Sequence, residues 1–173
     1  MGVAHERGLD GVTVRAVADA AGVTAPAMYW HFADKEALVR DVAREIARVF
    51  KDRMFEAAEA TTSEERLRKS LDAFRRFAVD YPAYFDALFV RPPRTAGGAI
   101  EPRGTIFQLL IERVSECMRD GTIRAGGAES VAMTLAALAQ GVVILYRRGR
   151  FTSEGEFAAF FDLSVKRLLD GLR

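Results

Sequence analysis

Residues 11–38 read GVTVRAVADAAGVTAPAMYWHFADKEAL, and this stretch decides the fold because its breaks fall too close together for anything but short helices. Thr13 is placed to cap a helix from Val14 to Ala20 or Ala21, and Gly22 supplies the permissive backbone that ends it. Thr24 then caps a second short helix, with Pro26 in its first turn, where a missing N–H costs least. Phe32-Ala33 is a brief joint. Asp34 opens a long helix, running to about Ala60, on which Leu38, Val42, Ile46, Val49 and Phe50 form one stripe. Two short helices joined by Ala21-Gly22-Val23 make a helix-turn-helix, which sets the second across the first so that it can enter a major groove. Spacing alone fits an ordinary helical hairpin better. Val17, Ala20, Val23, Met28 and Leu38 are expected to form the small core of this region.

Outside this stretch the apolar residues of the 173-residue chain keep recurring at three- and four-residue steps, with no sustained alternation of period two, so the fold class is all-α. Further helices are predicted for Ser63 with Arg66–Val79, Ala83–Val90, Thr105–Arg119, Ala128–Arg148 and Glu154–Leu172. The segment Arg91–Pro102 holds Pro92, Pro93, Gly97, Gly98 and Pro102 and reads as a loop with locally extended backbone. Two domains follow, a helix-turn-helix one over 1–47 and a larger helical one over 48–173.

Composition narrows the function classes. The single cysteine, Cys117, excludes an internal disulfide framework, and with only His5 and His31 there is no Cys/His cluster for a metal. Neither a metal nor a cofactor is expected. No nucleophile–base grouping or phosphate-cradling glycine loop appears, so the chain is not expected to be an enzyme. His5, Glu6 and Arg7 interrupt any secretory leader, and Thr134 and Gln140 interrupt the longest apolar run, Val131–Tyr146, which favours a cytoplasmic protein without a membrane partner. Bulk charge does not announce a polyanion binder: up to Arg48 there are six cations (Arg7, Arg15, Lys35, Arg40, Arg44, Arg48) against seven acids (Glu6, Asp10, Asp19, Asp34, Glu36, Asp41, Glu45).

Residues 11–38 as a whole resemble the DNA-binding domain of the tetracycline-repressor (TetR) family. Ala18 and Gly22 fall where the two helices must approach, and Tyr29-Trp30-His31-Phe32 followed by Lys35 and Leu38 matches the family's passage into its fourth helix. The resemblance implies an operator interface made by Thr13, Arg15, Thr24, Ala25, Pro26, Ala27, Tyr29, Trp30, His31 and Lys35. Thr13 and the first amides of its helix would face a phosphate, and Arg15 a phosphate or a guanine edge. Ala25, Pro26 and Ala27 offer only apolar contact, for instance to a thymine methyl. Tyr29, Trp30, His31 and Lys35 would hold the phosphate backbone and position the domain rather than specify a sequence. Family members carry a full first helix behind a short basic arm, whereas only about Gly2–Arg7 corresponds to it here. That departure implies thin packing over Val17 and Met28 and weak, salt-sensitive DNA binding.

Residues 74–94 and the stretch from Asp120 to Tyr146 resemble one branch of the family's ligand-binding domains. The resemblance implies a small, largely apolar effector near Phe74, Phe77, Tyr81, Tyr84, Phe85, Phe107, Leu110, Ile111, Cys117 and Gln140. Gln140 stands where relatives often have a histidine, which argues against a tetracycline–magnesium type of site. Val131, Leu135, Leu138, Val142 and Leu145 form a heptad-like seam, and the last helix carries Phe157, Phe160, Phe161, Val165, Leu168 and Leu169 on a broad apolar face. For these two helices the resemblance implies a four-helix homodimer interface; an intrachain core is the other use. The function implied is a ligand-responsive repressor that leaves double-stranded operator DNA when a small-molecule effector binds. The alternative is a dimeric small-molecule-binding module whose shortened N-terminus has impaired DNA binding.

Overall fold

The computed structural model describes residues 2–57, 60–90, 94–95, 98–99, 102–124 and 126–173. Helix follows helix because every break foreseen from a cap or a glycine is a break in the chain's path. The helices are α1 (Gly2–Arg7), α2 (Val14–Ala21), α3 (Ala25–Met28), α4 (Lys35–Ala57), α5 (Ser63–Asp80), α6 (Pro82–Phe85), α7 (Pro102–Arg119), α8 (Ala128–Arg147) and α9 (Glu154–Gly171). A 3₁₀ turn, Leu9–Gly11, follows α1, and a π-type turn, Asp86–Val90, continues α6. Within 91–102, β1 (Arg94–Thr95) and β2 (Gly98–Ala99) pair antiparallel over two residues each, while Pro92, Pro93 and Gly97 lie outside the described residues.

The caps act where the sequence places them, with one exception. Thr13 Oγ1 accepts from the Ala16 amide at 3.1 Å, and Asp34 Oδ1 accepts from the Ala37 amide at 2.6 Å. Thr24 occupies the N-cap of α3 but makes no side-chain cap bond. Ser63 is already helical; Thr62 takes the capping role, its Oγ1 accepting from the Glu65 amide at 3.2 Å. Gly22 closes α2 with φ of 69°, in the left-handed region, and a Cβ built there meets nothing within 4 Å. Its role is therefore conformational, and the close approach expected of both Ala18 and Gly22 belongs to buried Ala18 alone. Gly22→Ala should cost about 1–2 kcal/mol of stability, the strain of an L-residue held left-handed, read as a lower urea midpoint with an unchanged m-value.

The chain forms two compact units whose make-up does not follow chain order. The first comprises Met1–Phe50 with Val79–Gly104, the second Lys51–Ala78 with Thr105–Arg173. In the first, Ala4, Val12, Ala18, Met28, Leu38, Ile46 and Phe50 are buried. Met28 is thus covered despite the short α1, whereas Val23, expected in the core, is 45% exposed and Ala20 is exposed as well. Both face away because the tight turn at Gly22 directs the inner faces of α2 and α3 through Ala18 and Met28. Phe50 meets Phe89 edge-on at 5.4 Å, and Phe85 packs on Phe89 at 5.0 Å.

The second unit is built on α5, α7, α8 and α9. Its core gathers Leu67, Leu71, Phe74 and Phe77 of α5, Val114 and Cys117 of α7, and Phe157, Phe161, Val165 and Leu169 of α9. Tyr146 stacks on Phe157 at 4.2 Å, and the Arg75 guanidinium lies 5.8 Å from the same ring. The side of α8 that faces the core is Ala132, Leu135, Ala139, Val142 and Val143, a rotation from the heptad seam, whose Leu145 is exposed. Alanines at 132 and 139 set the spacing at which a neighbouring helix can approach.

Candidate functional site

Every residue proposed for the operator interface lies in the first unit, at the starts of α2, α3 and α4 and in the turn after α3. The turn prolongs α3: the amides of Tyr29, Trp30, His31 and Phe32 still bond to Pro26, Ala27, Met28 and Met28 carbonyls at 3.2, 3.3, 3.0 and 2.9 Å. Three successive side chains are thereby fixed in a coiled backbone while Phe32 turns inward to a half-buried position. Trp30 is 90% exposed and Tyr29 59%. A tryptophan of this exposure contributes almost nothing to the core.

Thr13, Arg15, Thr24, Pro26, His31 and Lys35 are exposed, and Ala25 and Ala27 half-buried. Thr13 accepts the Ala16 amide, which leaves its O–H free to donate, and Thr24 keeps its whole hydroxyl free of the cap. Arg15 stands in the first turn of α2, and Lys35 is the first residue of α4. Among the described residues neither enters an ion pair, whereas three cations further along α4 are matched: Arg40 with Glu36 at 3.7 Å, Arg44 with Asp41 at 2.9 Å and Arg48 with Glu45 at 2.5 Å. The near-even charge count of the region therefore conceals a division. Arg40, Arg44 and Arg48 of α4 have structural partners, and the two cations outside any described ion pair stand before and after the exposed aromatics in the sequence.

The ten residues proposed near an effector are divided between the units. Tyr81, Tyr84 and Phe85 belong to the first, where Tyr81 and Tyr84 stack at 5.7 Å and His5 of α1 meets them edge-on at 5.9 and 5.6 Å. Burial, with a smaller effect of Tyr81, pushes the Tyr84 phenol above its ordinary pKa. Phe74, Phe77, Phe107, Leu110, Ile111, Cys117 and Gln140 belong to the second unit. Phe74, Phe77, Leu110 and Cys117 are buried there, and Phe107, Ile111 and Gln140 half-buried. Burial raises the Cys117 thiol pKa, so it is an inert core group rather than a nucleophile.

Helices α5 and α7 run antiparallel, tied by two long-range bonds. The Ser63 hydroxyl donates to Asp120 Oδ2, and Arg66 Nε donates to Glu116 Oε2 at 3.1 Å. Asp120 also accepts from the Thr122 amide and hydroxyl, and the Ser63 bond, then these, hold its carboxyl below the usual range. Sequence reasoning passed over Arg66, Ser70, Arg113 and Glu116, polar residues lying in phase with the apolar stripes of these two helices. No group of three or more His, Cys, Asp or Glu side chains able to hold a metal occurs among the described residues.

Comparison with known proteins adds an independent line. Residues 1–42 match the family model for bacterial regulatory proteins of the tetR family, and residues 67–168 match a tetracyclin repressor-like C-terminal domain. The HTH-type transcriptional regulator YobS of Bacillus subtilis (strain 168) is 24% identical over 98% of this chain and 86% of its own length. The class D tetracycline repressor protein of Escherichia coli is 35% identical over 77 residues, which is 44% of this chain and 35% of that one. Among solved structures, a protein from Rhodococcus sp. RHA1 shares the fold with a TM-score of 0.82 at 22% identity, over 99% of this chain and 90% of that one.

Proposed function

The chain belongs to the TetR family and is a transcriptional regulator of that family, and from this premise we propose that it is a homodimeric repressor which a small, largely apolar effector releases from its operator. In this reading α3 enters the major groove, Arg15 reaches a guanine edge or a phosphate, and Ala25, Pro26 and Ala27 meet the groove with apolar contacts. Tyr29, Trp30, His31, Lys35, Thr13 and Thr24 hold the backbone rails. The observation that carries it is the 90% exposure of Trp30 in a unit that also holds two exposed cations, Arg15 and Lys35, which enter no ion pair among the described residues.

Two copies would join through α8 and α9. The outer side of α8 exposes Met133 and Leu145, that of α9 exposes Phe160 and Leu163, and only 28% of the most apolar stretch of α8 is buried within the chain. A helix of that length and apolarity also meets the bare requirements of a membrane span; the four-helix dimer accounts for its uncovered side without one. Two recognition helices must sit about one DNA turn, roughly 34 Å, apart to read both half-sites. An effector that favours a different spacing lowers operator affinity by as much as its own affinity differs between the two states. Residues Phe74, Phe77, Phe107, Leu110 and Ile111 of the second unit supply the apolar surface such an effector needs.

The test is fluorescence anisotropy with the duplex lying upstream of the protein's own gene, measured against an unrelated duplex from about 50 to 200 mM salt. The expected result is saturable binding with log K falling linearly in log salt and a preference of at least about a thousandfold for the upstream duplex. Equal binding to both duplexes would make the chain a ligand-binding module without an operator.

A further inference from the structure

The first helix is too short to keep its own place. α1 has six residues, against the about 12–15 at which an isolated helix begins to hold, and among the described residues Ala4 is its only buried side chain. A buried alanine offers little apolar area. α1 packs on α6, and it does so with rings: His5 meets Tyr81 edge-on at 5.9 Å and Tyr84 edge-on at 5.6 Å. Tyr81 and Tyr84, three residues apart, share one face of this single turn, and their stacked planes lie 6° apart at 5.7 Å.

These tyrosines come from the other end of the sequence division. Residues 79–104 read as part of the larger domain, yet the segment folds with Met1–Phe50. Pro82 opens α6 and Tyr81 before it has a non-helical backbone, so the stacked pair stands on a turn broken from α5. From α1 the packing passes on, since α1 lies on α2 and α2 on α3. α3 is four residues long with Met28 as its one buried side chain, so it too takes its place from its neighbours.

We propose that His5 is a positioning residue for DNA binding: it holds α1 on the Tyr81–Tyr84 pair, and α1 in turn holds α2 and α3 in the geometry that reads the duplex. This rests on the operator-binding reading above and deepens it, because the reading end then depends on two tyrosines outside the proposed operator interface. Tyr84, at 5% exposure, is the fixed wall of the contact. His5 is exposed, so it fills no core volume and its contribution is the ring contacts themselves, each a factor of about two to ten.

Anisotropy with the upstream duplex and amide hydrogen exchange, both on the full chain, test it together. His5→Ala should bind the duplex at least about fivefold more weakly with an unchanged salt slope, since no phosphate contact is lost. The amides of Gly8, Val12 and Val23 bond to the Ala4, Leu9 and Ala18 carbonyls at 3.1, 3.1 and 3.0 Å. They should exchange at least about fivefold faster while those of α8 and α9 keep the parent's rates, which a general loss of stability would not allow. His5→Phe keeps a ring at the contact and should restore both readouts to within about twofold. Tyr84→Leu should weaken binding as well, and the double variant should lose less than the product of the single losses, because both disrupt one cluster. A His5→Ala chain that binds and exchanges as the parent does would overturn the proposal, as would single losses that simply multiply. A salt slope lower by about one per protomer would make His5 a phosphate contact and overturn it too. A parent without preference for the upstream duplex sinks the operator reading and with it the DNA-binding half of the proposal, whereas unchanged exchange sinks the proposal on its own.

Discussion

An Arg15→Ala chain should bind its operator at least about 30-fold more weakly than the parent while unfolding at the same temperature. A side chain bidentate to a guanine carries about 1–3 kcal/mol of discrimination, and a dimer makes the contact twice, giving about 2–6 kcal/mol. Stability should stay within about 0.5 kcal/mol, because Arg15 is exposed and, among the described residues, has no ion-pair partner to strand. Lys35→Met should behave differently, weakening all duplexes alike and reducing the salt slope by about one for each protomer. Trp30→Ala is the sharpest control. At 90% exposure the ring holds nothing together, so losing it should impair DNA binding and spare the fold. If Trp30→Ala melts early and Arg15→Ala binds normally, the face assigned to DNA is a packing face.

The helix-turn-helix was legible because its signals are local. Thr13 and Asp34 bond to amides three residues on, and Gly22 needs only its own backbone angle, so composition and spacing suffice. The charge distribution was not legible from a count of six against seven, because pairing along α4 removes Arg40, Arg44 and Arg48 from play and no composition reports that. Ser63 shows the same limit from the other side. It reads only as part of a further helix, yet its hydroxyl is spent on Asp120, 57 residues away, a partner that local pattern cannot name. Ser70 and Arg113 were passed over because periodicity arguments track apolar residues, and a polar residue in phase with a stripe becomes visible only when its orphaned atom does. On α8 the period was right and the face was not. The heptad seam and the buried face Ala132-Leu135-Ala139-Val142 differ by a rotation that depends on which neighbours are small.

That rotation leads to the second large effect. Because α8 gives its alanine side to the chain's own core, Met133 and Leu145 are left outside, as are Phe160 and Leu163 on α9. A homodimer formed there is isologous, so each substitution appears twice and across a twofold axis. Met133→Glu with Leu163→Glu should therefore place four carboxylates in an apolar patch, and juxtaposed like charges of this kind cost several kcal/mol. Sedimentation at micromolar concentration should show a monomer whose helical circular dichroism is intact, since neither residue belongs to the buried set Leu135, Ala139, Val142, Phe157 and Phe161. Operator binding should fall to the level of an unrelated duplex, because one recognition helix reads one half-site and the second half-site goes unread. This result differs in kind from that of Arg15→Ala, which leaves a dimer unable to hold DNA. A doubly substituted chain that still sediments as a dimer would move the interface off α8 and α9, and the effector would then have to set the spacing of the recognition helices through other elements.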